Sequence, residues 1–280
     1  MRASHHRTVR GFVAVALVIG LAGAAAAQFG RFGFGPRGVP PRFPTKDTFG
    51  LGFNFCRGIY RSVRREAGGQ GWSTDYPDAE LNFSIRLSEL TKTRVKRSPE
   101  GKPDHVTVRL TDAELYQCPF LHMEDVGTMA LSPEEIEALR AYLLKGGFIW
   151  VDDFWGSLAW DDWVEQISRV LPPPEYTIQD VQIDHPIFRS QFEVKEFPQI
   201  PSIQMWRGNP YSTSERGEDS AFPEAKAISD RHGNVMVMMT HNTDISDAWE
   251  REGEDPRYFY RFSPRGYAVG INVIVYAMTH

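Results

Sequence analysis

The chain has 280 residues, 24% of them charged, and a formal net charge of -5. That length can bury a substantial core in one large domain or two small ones. The negative balance argues against nucleic acid as a partner, because such proteins carry a basic footprint. Arg57, Arg61, Arg64 and Arg65, and again Arg94, Lys96 and Arg97, cluster in sequence and read as a solvated surface balanced by nearby acids. No internal repeat is visible, which excludes a solenoid.

The N-terminus joins a basic "MRASHHRTVR", an apolar "GFVAVALVIGLAG" and a small-residue "AAAAQ". This is the pattern of a secretory signal peptide over residues 1–27, cut after Ala27, and it predicts a periplasmic or secreted protein. Its apolar part is marginal for a bilayer span, so no stable membrane span is expected after cleavage. Residues 28–48 are rich in Gly, Pro, Arg and Phe without an apolar period and read as a flexible leader. The two cysteines, Cys56 and Cys118, both lie in or beside apolar segments. We expect two buried free thiols, with a disulfide as the alternative that export would permit.

From Phe49 onward, apolar runs alternate with helical patterns. "LGFNFCRGIY" reads as a strand, "DAELNFSIRLSELTKT" as a helix, and "HVTVRL" and "CPFLHME" as two further strands. "LSPEEIEALRAYLLKGG" has Ser132 as N-cap, Pro133 at the first helical position, Glu135 to close a capping box and Gly146 or Gly147 to end the helix. "FIWVDDF" reads as a strand buried on both faces, and "DDWVEQISRVL" as a helix ended by Pro172, Pro173 and Pro174. In the second half, "YTIQDVQI" and "IPSIQMW" read as short strands around a "DHPIF" turn. "EAKAISD" and "VMVMMTH" read as a hairpin with Gly233 in its turn. A closing helix is expected to start at Ser263 and Pro264, with Gly266 and Gly270 packing closely on the sheet.

This alternation predicts an α/β fold with a mainly parallel sheet covered by helices on both faces. Ligands of such sheets bind beyond the carboxyl ends of the strands. The polar residues expected there are Trp72, Thr74, Asp75 and Tyr76, then His122, Glu124 and Asp125, then Asp152, Asp153 and Trp155, then His241, Asn242 and Asp244. Asp152 and Asp153 point to opposite sides of their strand, so at most one faces the crevice easily. Either could serve as general acid or base or as ligand to a divalent metal, or could simply cap the next helix. Asp244, with Asp247 three residues on, has the spacing of a helix cap, which leaves His241 and Asn242 unexplained by capping. Trp155, Trp160 and Trp163 could floor a sugar or peptide cleft or belong to the core. The chain has no G-x-S-x-G elbow, H-E-x-x-H, phosphate-binding Gly loop or dinucleotide fingerprint.

Four segments in order, "GWSTDYPDAELNFSIRLSELT", "LSPEEIEALRAYLLKGGFIWVDD", "DHPIF" and "GYAVGINVIVYAMTH", resemble the bacterial domain of unknown function DUF4159 over residues 49–280. The resemblance implies a flavodoxin-like sheet of the class I glutamine amidotransferase-like type, related in architecture to ThuA-like proteins. It implies no activity. The amidotransferase nucleophile is a Cys in a tight turn after a central strand, where this chain has Asp152 and Asp153, so thiol chemistry is disfavoured. Two functions follow as expectations. One is an exported domain that binds a ligand or partner, such as an envelope protein or a carbohydrate. The other is an exported hydrolase acting on a carbohydrate or cell-envelope substrate through Asp152 or Asp153 and His241.

Overall fold

A computed structural model describes residues 39–50 and 52–280. The expected signal peptide and residues 28–38 of the expected leader lie outside the described residues. Five apolar runs become parallel strands: β1 (Phe55–Ile59), β2 (His105–Arg109), β3 (Leu121–Glu124), β4 (Ile149–Asp152) and β7 (Val235–His241). The antiparallel strands β5 (Gln179–Asp180) and β6 (Glu224–Ser229) complete a seven-stranded sheet of order β2-β1-β3-β4-β7-β6-β5. Counted among themselves, the parallel strands have the 2-1-3-4-5 order of a flavodoxin-like doubly wound sheet.

Helices α1 (Asp78–Leu90), α5 (Asp247–Glu250) and α6 (Pro256–Thr279) cover one face. There Phe55, Trp150 and Met238 of the sheet meet Phe83, Trp249 and Ile271 in one apolar cluster. Helices α2 (Pro133–Leu144) and α3 (Gly156–Val170) contribute nothing to that cluster and pack on one another, covering the other face. Helix α2 starts as its sequence requires: Glu135 N–H donates to Ser132 Oγ, and Ser132 N–H donates to the Glu135 carboxylate. Gly146, with φ of +92°, follows its end. Strands β6 and β7 form the expected hairpin, with Gly233 at φ +86°.

Three local expectations are overturned. "IPSIQMW" is not a strand: Ser202 caps a short helix, α4 (Ile203–Gly208), which buries Ile203 and Trp206 three residues apart. "YTIQDVQI" contributes only the two-residue edge strand β5. The last helix starts at Pro256, where Asp255 accepts from Arg257 N–H, so Pro264 lies inside it on an exposed side where its missing donor faces water. The β-branched run that follows stays helical because Ile271, Val273 and Ile274 are buried. Gly266 and Gly270 allow close approach, though to α5 rather than the sheet: a Cβ on Gly270 would lie 2.3 Å from the Trp249 ring.

Residues 40–43 run beside the outer strand β2, where Thr107 N–H donates to Arg42 O and Arg109 lies over the Phe43 ring. This contact covers part of an otherwise open sheet edge. Among the described residues, no helix is long and apolar enough to cross a membrane.

The expectation of free thiols is also corrected: Cys56 and Cys118 form a disulfide with Cα atoms 6.0 Å apart. Strands β1 and β3 pair directly, which brings the start of β3 beside Cys56 although the cysteines are 62 residues apart in sequence. Closing a loop of that length restricts the unfolded chain by about 4 kcal/mol. Cys56→Ala/Cys118→Ala is therefore expected to lower unfolding free energy by about that amount in urea titrations, with the far-ultraviolet spectrum of the folded state unchanged.

Candidate functional site

The site begins with a charge in the core. Arg57 lies in the middle of β1 and is fully buried, contrary to the expectation of a solvated arginine cluster. A sheet covered on both faces leaves no solvent-facing direction for a mid-strand side chain. Its Nε donates to Glu80 of α1, and its terminal nitrogens donate to both oxygens of Glu124, at 2.8 and 3.2 Å. The same guanidinium donates to the carbonyls of Trp72 and Thr74 at 3.1 and 2.9 Å. Burial works against the Arg57 charge, but Glu124 and Glu80 more than offset it and raise its pKa. Burial pushes Glu80 up to about 7 despite the arginine beside it.

By holding the 72–74 carbonyls, Arg57 positions the loop that delivers Asp75 to the carboxyl edge of the sheet. Asp75 (φ 61°), Asp125 after β3 (φ 50°), Asp153 after β4 (φ 51°) and Asn242 after β7 (φ 58°) all have left-handed backbones. Asp and Asn are the side chains that adopt this conformation at least cost. The three aspartates line a cleft of about 420 Å³, together with Asp244 and Asp247. Glu66 and Glu215 add two further carboxylates, and Arg216 and Arg251 are the cleft's basic residues.

Several of these groups are held in place. Asp125 Oδ2 accepts from Gly71 N–H at 2.7 Å, which ties the glycine-rich 68–71 loop to β3. A Cβ on Gly69 would lie 2.5 Å from that carboxylate, so the loop approaches as closely as it does because it lacks side chains. Asp153 Oδ1 accepts from Trp155 Nε1 at 2.9 Å. Asp244 Oδ1 accepts from Asp247 N–H at 2.7 Å, the capping contact its spacing predicts. Asp247 Oδ2 accepts from Ile203 N–H and the Tyr258 hydroxyl, each at 2.8 Å. Among the described residues, Asp75 Oδ2 and Asp125 Oδ1 are buried and accept no hydrogen bond.

Burial raises the pKa of every one of these aspartates, and mutual repulsion adds to it. Asp75, Asp153 and Asp244 are held well above the carboxylate range, first by burial and then by neighbouring acids: Glu124 and Glu250 for Asp75, Glu215 and Asp125 for Asp153, Asp153 and Asp75 for Asp244. Asp125 is pushed up to about 7 and Asp247 to about 6, in both cases mainly by burial.

Of the residues expected at the edge, Asp75, Asp153, Trp155 and Asp244 line the cleft. Asp152 does not: it lies beneath, accepting from the Thr240 hydroxyl at 2.5 Å and from Ser246 N–H at 3.0 Å. His241 is bound by Glu224 at 2.9 Å and by the Gly156 carbonyl at 3.1 Å, against Phe154 and Trp160. The Asn242 side chain accepts from Gly156 N–H and donates to the Phe222 carbonyl. His122 is buried among Phe55, Trp150 and Trp249, and burial lowers its pKa well below the usual value. Trp72 packs on Tyr76, whose hydroxyl pairs with His105. Asp125, expected at the edge after β3, lines the cleft as well. Glu215, Arg216 and Arg251 are lining groups that sequence reasoning did not select, and Asp247 was expected only as a helix cap; nothing local marked them as site residues.

Residues 61–278 match the family model described as "Domain of unknown function (DUF4159)", which runs from just after β1 into the last turn of α6. No curated protein matches the chain.

Removing Arg57 would strand two buried carboxylates. Arg57→Leu should cost on the order of 3–5 kcal/mol in urea unfolding, and Arg57→Leu/Glu80→Leu/Glu124→Leu should recover much of it. The pH dependence follows from Asp152, which burial pushes up to about 7 from an ordinary 3.8. The native state therefore holds a proton that the unfolded chain releases at lower pH. The resulting stabilisation is complete below about pH 4 and is lost as pH rises through about 7. Melting temperature should fall across that window, and Asp152→Asn, which keeps the acceptor for Ser246 N–H, should flatten the fall.

Proposed function

Because the chain belongs to the DUF4159 family, whose description assigns no activity, we propose a function from the site itself: an exported binding domain whose cleft takes a positively charged ligand. One observation carries this reading. Seven carboxylates, Glu66, Asp75, Asp125, Asp153, Glu215, Asp244 and Asp247, face two arginines around one cleft. A cation entering the cleft relieves repulsion that the fold otherwise bears, and water-poor surroundings strengthen each contact it makes.

Thiol chemistry has no support, since both cysteines are joined to one another. The resemblance to glutamine amidotransferases therefore lends no support to their chemistry here. Among the described residues no histidine lines the cleft. The signal-like N-terminus supports export, and the disulfide is consistent with an oxidising compartment. A second reading, a hydrolase acting on a carbohydrate or envelope substrate, draws on a different observation: carboxyl groups with raised pKa in a cleft are suited to general acid and base work.

Thermal-shift and calorimetric titration of the purified protein with putrescine, spermidine and divalent chlorides tests the binding reading. Cationic probes should stabilise the protein, less so in high salt, and Asp153→Asn should weaken the tightest of them by about tenfold or more. Stabilisation by neutral sugars or anions with no response to any cation would overturn it.

A further inference from the structure

We propose that the cation is a hard divalent metal ion, of the calcium, magnesium or manganese class, held by Asp75, Asp247 and Glu250. The inference rests on the cationic-ligand reading and gives that ligand a chemical identity and a place.

The geometry comes from two elements that meet at the carboxyl edge. Asp247 and Glu250 are three residues apart on α5 and so share one side of that helix. Asp75 reaches the same point from the loop ahead of α1. One oxygen from each carboxylate lies within 4.8 Å of the others. Calcium–oxygen bonds of about 2.3–2.6 Å place opposed ligands roughly 5 Å apart, so a single ion can touch all three.

Acidic residues cluster on many surfaces without binding anything, but two features separate this group from such a cluster. All three residues are buried, at 7%, 2% and 8% exposure. The Asp75 carboxylate also has an oxygen, Oδ2, that meets neither a donor nor water-accessible space, although Asp75 lines the cleft. A buried acceptor left without a partner is costly, and a metal ion is the kind of group that removes the cost. Asp247 is already oriented by Ile203 N–H and the Tyr258 hydroxyl, both on Oδ2. Its Oδ1 lies 3.5 Å from Arg251 Nε, and Glu250 pairs with the same nitrogen. Arg251 is thus the resident cation at the edge of the site, and it balances only part of the charge gathered there.

The donor set selects the class of metal. It contains oxygen and no imidazole or thiolate, which suits hard ions over zinc or copper. Three protein ligands leave coordination positions for water or for an oxygen of a second ligand, which would reach the ion from the cleft that Asp75 and Asp247 line.

The test uses the purified full-length protein after chelator treatment and dialysis. Calorimetry and native mass spectrometry with calcium, magnesium and manganese chlorides are run on wild type, Asp75→Asn and Glu250→Gln, with putrescine as an organic cation. Asp75→Asn keeps the left-handed backbone within reach and preserves the size of the side chain, so its metal-free melting temperature should not fall. We expect one ion per chain in wild type, a rise in melting temperature, and at least tenfold weaker binding in both variants. Absence of binding by all three metals in wild type overturns the proposal whatever the variants do. If putrescine still binds in that case, the cationic cleft stands without a metal; if neither binds, both readings fall. Metal binding undiminished in both variants would overturn the assignment to these residues.

Discussion

The cleft depends on one buried cation. Arg57 of β1 sits where β3, α1 and the 72–74 loop converge, and its guanidinium bonds to all three. Moving such an ion out of water is costly, and the cost is offset only when the donors are well used. Here two carboxylates and two backbone carbonyls take them, so the loop cannot shift without leaving a buried donor unmet. A lysine would bring one compact ammonium in place of a planar fork, and could not hold α1, β3 and the loop together.

The edge above Arg57 has the opposite character. Three aspartates leave their strands or loop with left-handed backbones and aim their carboxylates into one cleft, each burying charge beside charge. Local donors compensate in part: Gly71 N–H and Trp155 Nε1 each satisfy one oxygen, and Ile203 N–H and the Tyr258 hydroxyl share Oδ2 of the neighbouring Asp247. What remains is an excess of acid that packing does not need. Helix capping accounts for Asp244, and a hydrogen-bonded position beneath the sheet edge accounts for Asp152. Neither account extends to the unpartnered oxygens of Asp75 and Asp125. Binding and fold therefore make different demands on this edge, and the strained residues lie where such a conflict is usually found.

Legibility varied with the range of the interaction. The capping box of α2 and the β6–β7 hairpin were readable because their partners lie within a few residues. Asp75, Asp153, Trp155 and Asp244 were readable as edge residues because strand order and direction follow from alternation. His241 and Asn242 stood out for the same reason, yet their bonds run to Glu224 at the far end of the hairpin and to Gly156 and Phe222, whose proximity no local pattern announces. "IPSIQMW" misled because its apolar content suits a strand or a buried turn of helix equally, and Ser202 decides between them only in context.

By itself the sequence determined the α/β alternation, the parallel sheet and the edge at which polar groups collect, because these depend on periodicity and short-range caps. Tertiary structure alone decided that Arg57 is buried, that Cys56 and Cys118 meet, and that Asp75, Asp247 and Glu250 come together. Each of those joins residues far apart in the chain, and their proximity depends on which strands become neighbours. In the same way, burial and the company of other charges, and not residue type, set the chemistry of the carboxylates in the cleft.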